Sequence, residues 1–394
     1  MKNPKKALGI TAVAAAAASS AAVLTHRIRS EKEEKLPQLP QKNKYPFVFV
    51  HGLNGWGASE GVNGILPYWG ATCGDLTEFL GAYGYECYSA SVGPVSSAWD
   101  RACELYAQLY GTKVDYGKVH SLKNNHKRFG RDFSSCPLGA ESTSIVLLGH
   151  SFGGATVRLL SELMANGDED ERSATAAEDL SPLFKGGLDK NIFSIVTLAS
   201  PMNGTTAYDM FEDPDFRVDA VKVPLRHRLL SRLMSFGTRP RTDDRNPNDY
   251  ASFDMHVDNA LAMNDRIETL KDVYYFSVPC CFTRDGKPQK GMEALFAMRS
   301  AQIGAYTGKT RGGFVIDDSW RENDGLVNTV SAKAPIGAPS KELDRSNIER
   351  GVWNVFPALE GDHMWLQGGL MHRHDIKAFY LDLLELIRGL FSLR

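Results

Sequence analysis

The sequence lacks a strong charge of either sign, because 45 basic and 47 acidic side chains leave a formal net charge of −2. It also lacks internal repeats, and beyond the first 30 residues no apolar run is long enough to span a bilayer. These absences exclude a repeat architecture, a polytopic membrane protein and a nucleic-acid-binding surface built on bulk positive charge. The composition is that of a globular chain, and 394 residues are enough for one large domain or two ordinary ones.

Cysteine is also scarce. The spacing of the six cysteines matches neither a Cys-x-x-Cys zinc site nor a small disulfide scaffold. They are Cys73, Cys87, Cys103, Cys136, Cys280 and Cys281. Two interpretations stay open: some of them pair in an exported protein, or most of them are buried free thiols.

The N-terminus carries a targeting element. Three lysines (Lys2, Lys5 and Lys6) precede the uncharged apolar run Ala7–Leu24, a pattern typical of secretory signals. The run is also just long enough to cross a membrane, and basic residues follow it. We therefore expect residues 1–30 to be a signal peptide or an N-terminal membrane anchor, and residues 31–44 to be a linker. A secreted protein is favoured, and a protein anchored through residues 7–24 is the alternative.

The most informative motif lies in the middle of the chain. The apolar run Ile145–Leu148 leads into Gly149-His150-Ser151-Phe152-Gly153, and a helical pattern follows. Gly-x-Ser-x-Gly between a strand and a helix is the nucleophile elbow of α/β-hydrolases. The motif predicts that Ser151 is a nucleophile and that the Phe152 backbone N–H helps to stabilise an oxyanion.

A second oxyanion donor is expected early in the sheet. The β-type run Tyr45–Val50 ends in His51-Gly52, so the following backbone N–H, that of Leu53, is the candidate. Three aromatic residues follow at Trp56, Tyr68 and Trp69. We expect their rings to form apolar walls for an acyl chain.

The remaining pattern alternates strands with helices. Strands are predicted over 85–91, 145–148, 193–198 and 273–278, and helices over 75–81, 98–109, 155–164 and 381–393. Ser97 is the expected N-cap of the second helix. This alternation predicts an α/β fold, with a mostly parallel sheet and helices on both faces.

Two segments interrupt this alternation, at about 99–133 and about 203–254. The second contains a helical stripe of four apolar residues, which are Leu225, Leu229, Leu233 and Phe236. One interpretation of the predicted helix over 221–236 is a surface helix packed on the core. The other is a lid that opens onto lipid.

The chain order of α/β-hydrolases is nucleophile, acid, histidine. Asp324, in a short polar turn before an apolar stretch, is the candidate acid, and His363 is the candidate base. His363 would accept the Ser151 proton, and Asp324 would orient the imidazole. The competing residues are Asp317, Asp318, His372 and His374.

From about Tyr45 to its end, the chain resembles the secreted thermoalkalophilic lipases of the Geobacillus and Staphylococcus type. The resemblance implies the triad Ser151, Asp324 and His363 and the oxyanion donors Leu53 and Phe152. Phe152 replaces the glutamine common in the family, but the donor is a backbone group. The motifs that carry the resemblance are His51-Gly52-Leu53-Asn54-Gly55-Trp56-Gly57, Tyr68-Trp69-Gly70, 92–97, 99–104, Val114-Asp115-Tyr116-Gly117, 128–130, the elbow, Asn203-Gly204-Thr205-Thr206, 322–330 and 375–380.

The same resemblance implies a zinc site made of Asp100, His120, His126 and Asp254. Two imidazoles and two carboxylates complete a closed tetrahedral site, so the metal would be structural. It would connect the inserted segment 99–133 to the base of the lid region.

The family's calcium site is expected to be lost. Gly291 is retained, but Trp365 replaces the first expected acid, and Gly368-Gly369-Leu370 offers no carboxylate for the second. A hard cation needs several oxygen ligands, so calcium is not expected to bind there.

These observations predict a secreted triacylglycerol lipase or carboxylesterase that acts on lipid or ester substrates at an interface. The alternatives are a phospholipase, a short-chain esterase, or a non-catalytic, envelope-attached lipid-binding protein on the same fold. Nucleic acid is not an expected partner, attachment to a membrane through the N-terminus stays open, and the sequence does not determine the oligomeric state.

Overall fold

The computed structural model describes residues 36–135, 138, 144–218, 221, 244–292, 294–369 and 375–393. Seven strands form one sheet in the order β13-β14-β7-β6-β5-β1-β2, and every neighbouring pair is parallel. They are β1 Phe47–Val50, β2 Cys87–Ala90, β5 Ile145–His150, β6 Ile192–Leu198, β7 Tyr274–Val278, β13 Ser340–Glu342 and β14 Trp353–Val355. The predicted parallel sheet is therefore confirmed.

Eight short strands form two-stranded pieces outside this sheet: β3 Lys113–Asp115, β4 Phe129–Asp132, β8 Cys280–Cys281, β9 Thr283–Arg284, β10 Lys287–Pro288, β11 Gly308–Lys309, β12 Val315–Ile316 and β15 Leu359–Glu360. The α-helices in the described part of the chain are Leu76–Ala82, Ala98–Tyr110, Lys118–Lys123, Phe152–Asn166, Glu169–Ala174, Pro182–Lys185, Thr206–Asp209, Ala251–Asp254, Val257–Asn264, Ala294–Ala305 and Ile376–Gly389.

Side-chain alternation along β1 shows how the core is divided. Val48 and Val50 join a cluster that includes residues of the helices Ala98–Tyr110 and Phe152–Asn166. Phe47 and Phe49 join a second cluster, with residues of Leu76–Ala82 and Ile376–Gly389. Because successive side chains of a strand point to opposite faces, the sheet is covered by helices on both sides.

The predicted elements lie close to their expected positions, with one large difference. The terminal helix begins at Ile376, five residues before the predicted start, because the Asp375 side chain accepts a hydrogen bond from the Ala378 N–H and caps it. Ser97 caps the helix Ala98–Tyr110 as expected. The strands β13 and β14, at one end of the sheet, were not predicted.

Several expectations concern residues outside the described part. These are the leader (1–30), the first residues of the linker, most of the predicted helix over 221–236, Cys136, His372 and His374. Within the described ranges, the other five cysteines are free thiols. A search of the same ranges for a helix that is long and apolar enough to cross a bilayer finds none.

Candidate active site and metal centre

Ser151 occupies the sharp turn between β5 and the helix that begins at Phe152. Its backbone has φ 54° and ψ −128°, a conformation that non-glycine residues rarely adopt. Hydrogen bonds to β6 and to the residues that follow β6 hold the turn in place. The Ser151 N–H donates to the Leu198 carbonyl at 2.8 Å, and the Ser200 hydroxyl donates to the Ser151 carbonyl at 2.7 Å. The structure thus contains the elbow that the motif predicts.

Two glycines permit this turn because neighbouring backbone lies too close to them for a side chain to fit. A Cβ atom on Gly153 would collide with the Val50 carbonyl oxygen, and one on Gly149 would collide with the Gly153 backbone. Both obstacles are backbone atoms, so they cannot rotate away. The motif therefore needs glycine at both positions, because the elbow packs directly against β1 and the helix.

Asp324 and His363 form a buried pair. The Asp324 Oδ2 atom lies 2.8 Å from His363 Nδ1, and the His363 N–H donates to the Asp324 carbonyl at 2.8 Å. The other carboxylate oxygen accepts from the Leu326 and Val327 N–H groups at 3.0 and 2.8 Å. Both oxygens of Asp324 are thus fixed, and the acceptor facing His363 holds the imidazole with its Nδ1 protonated.

The competing acids lie in other settings. The Asp317 side chain accepts from the Ser319 N–H at 2.9 Å, and Asp318 is exposed. The structure brings Asp324, and not these residues, to His363.

His150 places the His363 loop beside the elbow. Its ring centre lies 4.9 Å from that of His363, and its Nε2 lies 3.0 Å from the His363 carbonyl oxygen. A carbonyl only accepts, so Nε2 carries the proton. Burial lowers the pKa of His150 to about 3, with the nearby His363 contributing, so the ring is neutral and Nδ1 is an acceptor.

Tyr68 extends this series of hydrogen bonds to the candidate oxyanion loop. Its hydroxyl lies 2.7 Å from His150 Nδ1 and 2.9 Å from the Gly52 nitrogen. The Gly52 N–H must donate, so the Tyr68 O–H donates to His150. Gly52 precedes Leu53, and the chain Gly52–Tyr68–His150–His363 therefore connects the oxyanion loop to the histidine loop. Of the three rings expected to line an acyl chain, Tyr68 fills a polar role and Trp69 is buried against Phe49, so the expectation stays only for the half-buried Trp56.

Arg101 also holds the candidate oxyanion loop in place. Its guanidinium donates to the His51 carbonyl, to the Gly93 carbonyl at 2.9 Å and to the Thr156 hydroxyl at 2.8 Å. The guanidinium carbon also lies 5.3 Å from the centre of the Phe152 ring. Burial lowers the pKa of Arg101 to about 10, which leaves it charged at neutral pH. Arg101 thus contacts both segments that carry the candidate oxyanion donors.

A second cluster lies at the inserted segment. Asp100, His120, His126 and Asp249 each offer one ligand atom, and these four atoms lie within 4.8 Å of one another. His120 Nε2 is 3.1 Å from Asp100 Oδ1 and 3.3 Å from Asp249 Oδ1. Two nitrogens and two oxygens at this separation fit the donor set of a tetrahedral site.

His126 gives an independent indication that a cation fits here. Its Nδ1–H donates to the Lys127 carbonyl at 2.9 Å, so Nε2 of the neutral ring is an acceptor. Among the residues that the structure describes, this buried Nε2 has no assigned hydrogen-bond partner, and it lies 3.3 Å from the Asp249 carboxylate. A cation between these two groups would interact favourably with both, in addition to the charge that Arg245 brings to the Asp249 carboxylate.

The structure corrects the fourth expected ligand, because Asp249 and not Asp254 joins the cluster. The Asp254 carboxylate accepts from the Ala98 N–H at 2.7 Å, at the start of the helix that carries Asp100. Burial raises the pKa of Asp254 to about 7. Arg245, which no sequence pattern indicated, donates to the carboxylates of both Asp100 and Asp249.

The expected loss of the calcium site rests on Trp365. Its ring packs against Phe379 with a centroid distance of 5.4 Å, so an apolar side chain stands where the family has an acid. Leu370 lies outside the described residues.

Comparison with known proteins finds lipases among the relatives of this chain. Residues 43–222 match a family model described as the C-terminal domain of lipase-like proteins. The chain is 33% identical to a lipase of Staphylococcus hyicus over 83% of its length, and 30% identical to lipase 2 of Staphylococcus aureus over 84%. It covers 54% and 51% of those proteins, so it spans about half the length of these relatives.

Solved structures resemble the chain over nearly their whole length. Lipase 1 from Pelosinus fermentans is 33% identical, with a TM-score of 0.71, and the alignment covers 87% of this chain and 98% of that one. The Staphylococcus hyicus lipase is 29% identical, with a TM-score of 0.73, and the alignment covers 92% of this chain and 99% of that one.

Proposed function

Because the chain belongs to the family of bacterial lipases that includes the Pelosinus and staphylococcal enzymes, we propose that it is a triacylglycerol lipase or carboxylesterase with a serine mechanism. The observation that carries the proposal is the buried Asp324–His363 pair, which His150 holds beside the strained elbow of Ser151. Export, through the basic and apolar leader, is part of the same proposal.

In the proposed reaction the Ser151 hydroxyl attacks the ester carbonyl as His363 Nε2 takes its proton. Asp324 stabilises the imidazolium that forms. The N–H groups of Leu53 and Phe152 receive the oxyanion, and each such donor contributes about 10²- to 10³-fold in other hydrolases. His363 then protonates the leaving alcohol. Water, activated by His363, releases the fatty acid from Ser151.

A substrate panel tests this proposal and its alternatives. It contains p-nitrophenyl esters of increasing chain length, an emulsified triacylglycerol and a phospholipid, with Ser151→Ala as the blank for each. We expect hydrolysis of the triacylglycerol. Cleavage of soluble short esters alone would favour the short-chain esterase, and cleavage of the phospholipid alone would favour the phospholipase. If no ester is cleaved above the blank, the result would favour the non-catalytic lipid-binding alternative.

The proposal assigns Tyr68 and His150 a positioning role. We expect Tyr68→Phe to lower kcat by about 10-fold or more with little change in KM, since the oxyanion loop loses its anchor. The matched control is Tyr275→Phe, because the Tyr275 hydroxyl also accepts one backbone N–H, that of Leu270, at 2.9 Å.

Both variants leave a backbone donor without its partner and should lose about 1–3 kcal/mol of stability. Steady-state kinetics and chemical denaturation separate the two effects. Equal changes in kcat in the two variants would show that the Tyr68 hydroxyl is only structural.

We further propose that Asp100, His120, His126 and Asp249 hold a zinc ion. When bound, it would serve as a structural crosslink between the inserted segment and the chain around residue 249. The residues themselves fit this role, because the cluster presents four ligand atoms within 4.8 Å of one another, two nitrogens and two carboxylate oxygens.

Metal analysis of purified protein tests the zinc site. We expect about one zinc per chain, and none in the double variant His120→Ala/His126→Ala. That variant should melt at least about 5 °C lower, since loss of the crosslink costs several kcal/mol. His256→Ala is the control, because His256 pairs with Asp209 outside the cluster. Equal metal content in the wild type and the double variant would remove the site.

A further inference from the structure

Arg299 is a charged side chain that the proposed reaction does not use. It lies on the helix Ala294–Ala305, half-buried, with its guanidinium carbon 4.6 Å from the centre of the Phe211 ring. Its Nη1 atom is buried and, among the residues that the structure describes, has no hydrogen-bond partner. No ion pair joins it to a described carboxylate, although an arginine in a protein stays protonated.

The acids that flank Phe211 are engaged elsewhere. Three carboxylates of the segment 209–213 have other partners: Asp209 accepts from the Val257 N–H at 3.1 Å, Glu212 lies 3.5 Å from Arg311, and Asp213 accepts from the Tyr306 hydroxyl at 3.1 Å. None of them neutralises Arg299. A buried cationic N–H without an acceptor costs free energy, which an anionic oxygen from outside the chain would recover.

The helix that carries Arg299 packs against the loop of the candidate acid. Phe296 lies one turn earlier on the same face, and a Cβ atom on Gly325 would come within 2.7 Å of the Phe296 Cβ. Phe296 also shares an apolar cluster with Leu326 and Met364, which flank the Asp324 and His363 loops. On the neighbouring face, the Ser300 hydroxyl donates to the Asn323 side chain at 2.8 Å. Arg299 therefore lies on a helix that packs against the Asp324 loop and, through Phe296, against Met364 next to His363.

Tyr208 precedes Phe211 by one turn, and its carbonyl accepts from the Phe211 N–H at 3.1 Å. It lies on the short helix Thr206–Asp209, two residues after Thr206, whose N–H donates to the Asn328 side chain behind the Asp324 turn at 3.0 Å. Burial raises the pKa of Tyr208 to about 12, while the positive charge of Arg299 opposes the rise. The helix Thr206–Asp209 thus connects the Phe211 segment, which Arg299 contacts, to the Asp324 turn.

We propose that Arg299 forms a subsite for an anionic oxygen group on the ester substrate. Guanidinium groups bind carboxylates and phosphates through two N–H donors, so either group suits the site. This inference rests on the proposed ester hydrolysis and deepens it, because it makes a negatively charged ester the preferred substrate class.

Two matched substrate pairs test the subsite and locate the anion. The first pair is mono-p-nitrophenyl adipate, with a free carboxylate on its acyl chain, and its methyl ester. The second pair is a phosphatidic acid, with phosphate on the alcohol side, and the diacylglycerol with the same chains, both in mixed micelles. The measured quantity is the ratio of kcat/KM for the anionic member to that for the neutral member.

We expect Arg299→Met to lower this ratio by about 10-fold or more in one pair, as the loss of a charge-assisted hydrogen bond predicts. The pair that responds assigns the anion to the acyl chain or to the alcohol side. Arg299→Lys should lower the ratio less, since it keeps the charge. Arg284→Met is the control, because Arg284 is exposed on a nearby hairpin and should leave both ratios unchanged.

Ratios that stay within twofold in both pairs for Arg299→Met would overturn the subsite. An equal fall for the neutral and anionic members would also overturn it, because it would show a structural role. These outcomes differ from failure of the proposed function, in which the wild type would hydrolyse neither member of either pair and the subsite would fall with it. The melting temperature of Arg299→Met should change little, since methionine keeps an apolar stem against Phe211 and removes a buried N–H that has no described acceptor.

Discussion

Replacing Ser151 with alanine is expected to lower kcat by about 10⁴-fold or more, because the acyl-serine intermediate cannot form. The fold should survive, since the backbone bonds that hold the turn are made by the Ser151 N–H and carbonyl. Ser161→Ala is the matched control. Ser161 is also a buried serine, on the same helix, and its hydroxyl donates to the Arg158 carbonyl at 2.6 Å. It should retain activity within about twofold.

The double variant Ser151→Ala/His363→Ala sharpens this test. Residues that act as one catalytic unit are not additive, so the second substitution should cost little beyond the first. A further loss of several orders of magnitude in the double variant would mean that His363 acts independently of Ser151, contrary to the proposed mechanism.

The second large effect is expected at Arg101. Arg101→Met removes a buried guanidinium and leaves the carbonyl oxygens of His51 and Gly93 without this donor. We expect a loss of about 3–5 kcal/mol of stability, typical of breaking a buried charged network. We also expect kcat/KM to fall by about 10-fold or more, because the oxyanion loop loses its support.

Arg158→Met separates these two consequences. Arg158 is also buried, and its guanidinium donates to the Asn264 side chain at 2.7 Å, away from the oxyanion loop. Denaturant unfolding should show a comparable loss of stability, whereas kcat/KM at a temperature where both variants are folded should fall only for Arg101→Met. Equal kinetic losses in the two variants would refute a positioning role for Arg101.

The sequence predicted the features that depend on local pattern. The elbow could be predicted because its glycines must be glycines, where a side chain would meet backbone of β1 or of the helix. The pairing of Asp324 with His363, 39 residues apart, followed from the chain order of the motif and not from spacing. Their catalytic roles stay a proposal.

Features that depend on contacts between distant residues could not be predicted. Asp249 and Asp254 lie five residues apart on either side of Tyr250, and only the turn between them decides which one faces His120 and His126. Tyr68 and His150 are 82 residues apart, so no local signal joins them. The strands β13 and β14 have three residues each, too few for a periodic pattern to show.

The start of the terminal helix, in contrast, had a signal that was missed. Asp375 precedes Ile376 as an N-cap residue, and its side chain accepts from the Ala378 N–H. A search for caps would have moved the predicted start from 381 to 376.

The central claim is that Ser151 is a nucleophile activated by the Asp324–His363 pair. It is tested most directly by a fluorophosphonate probe and mass spectrometry of the labelled peptides. We predict one adduct in the wild type, on Ser151, slow labelling of His363→Ala and none at this position in Ser151→Ala. An unlabelled wild type, or undiminished labelling of Ser151→Ala, would contradict the claim.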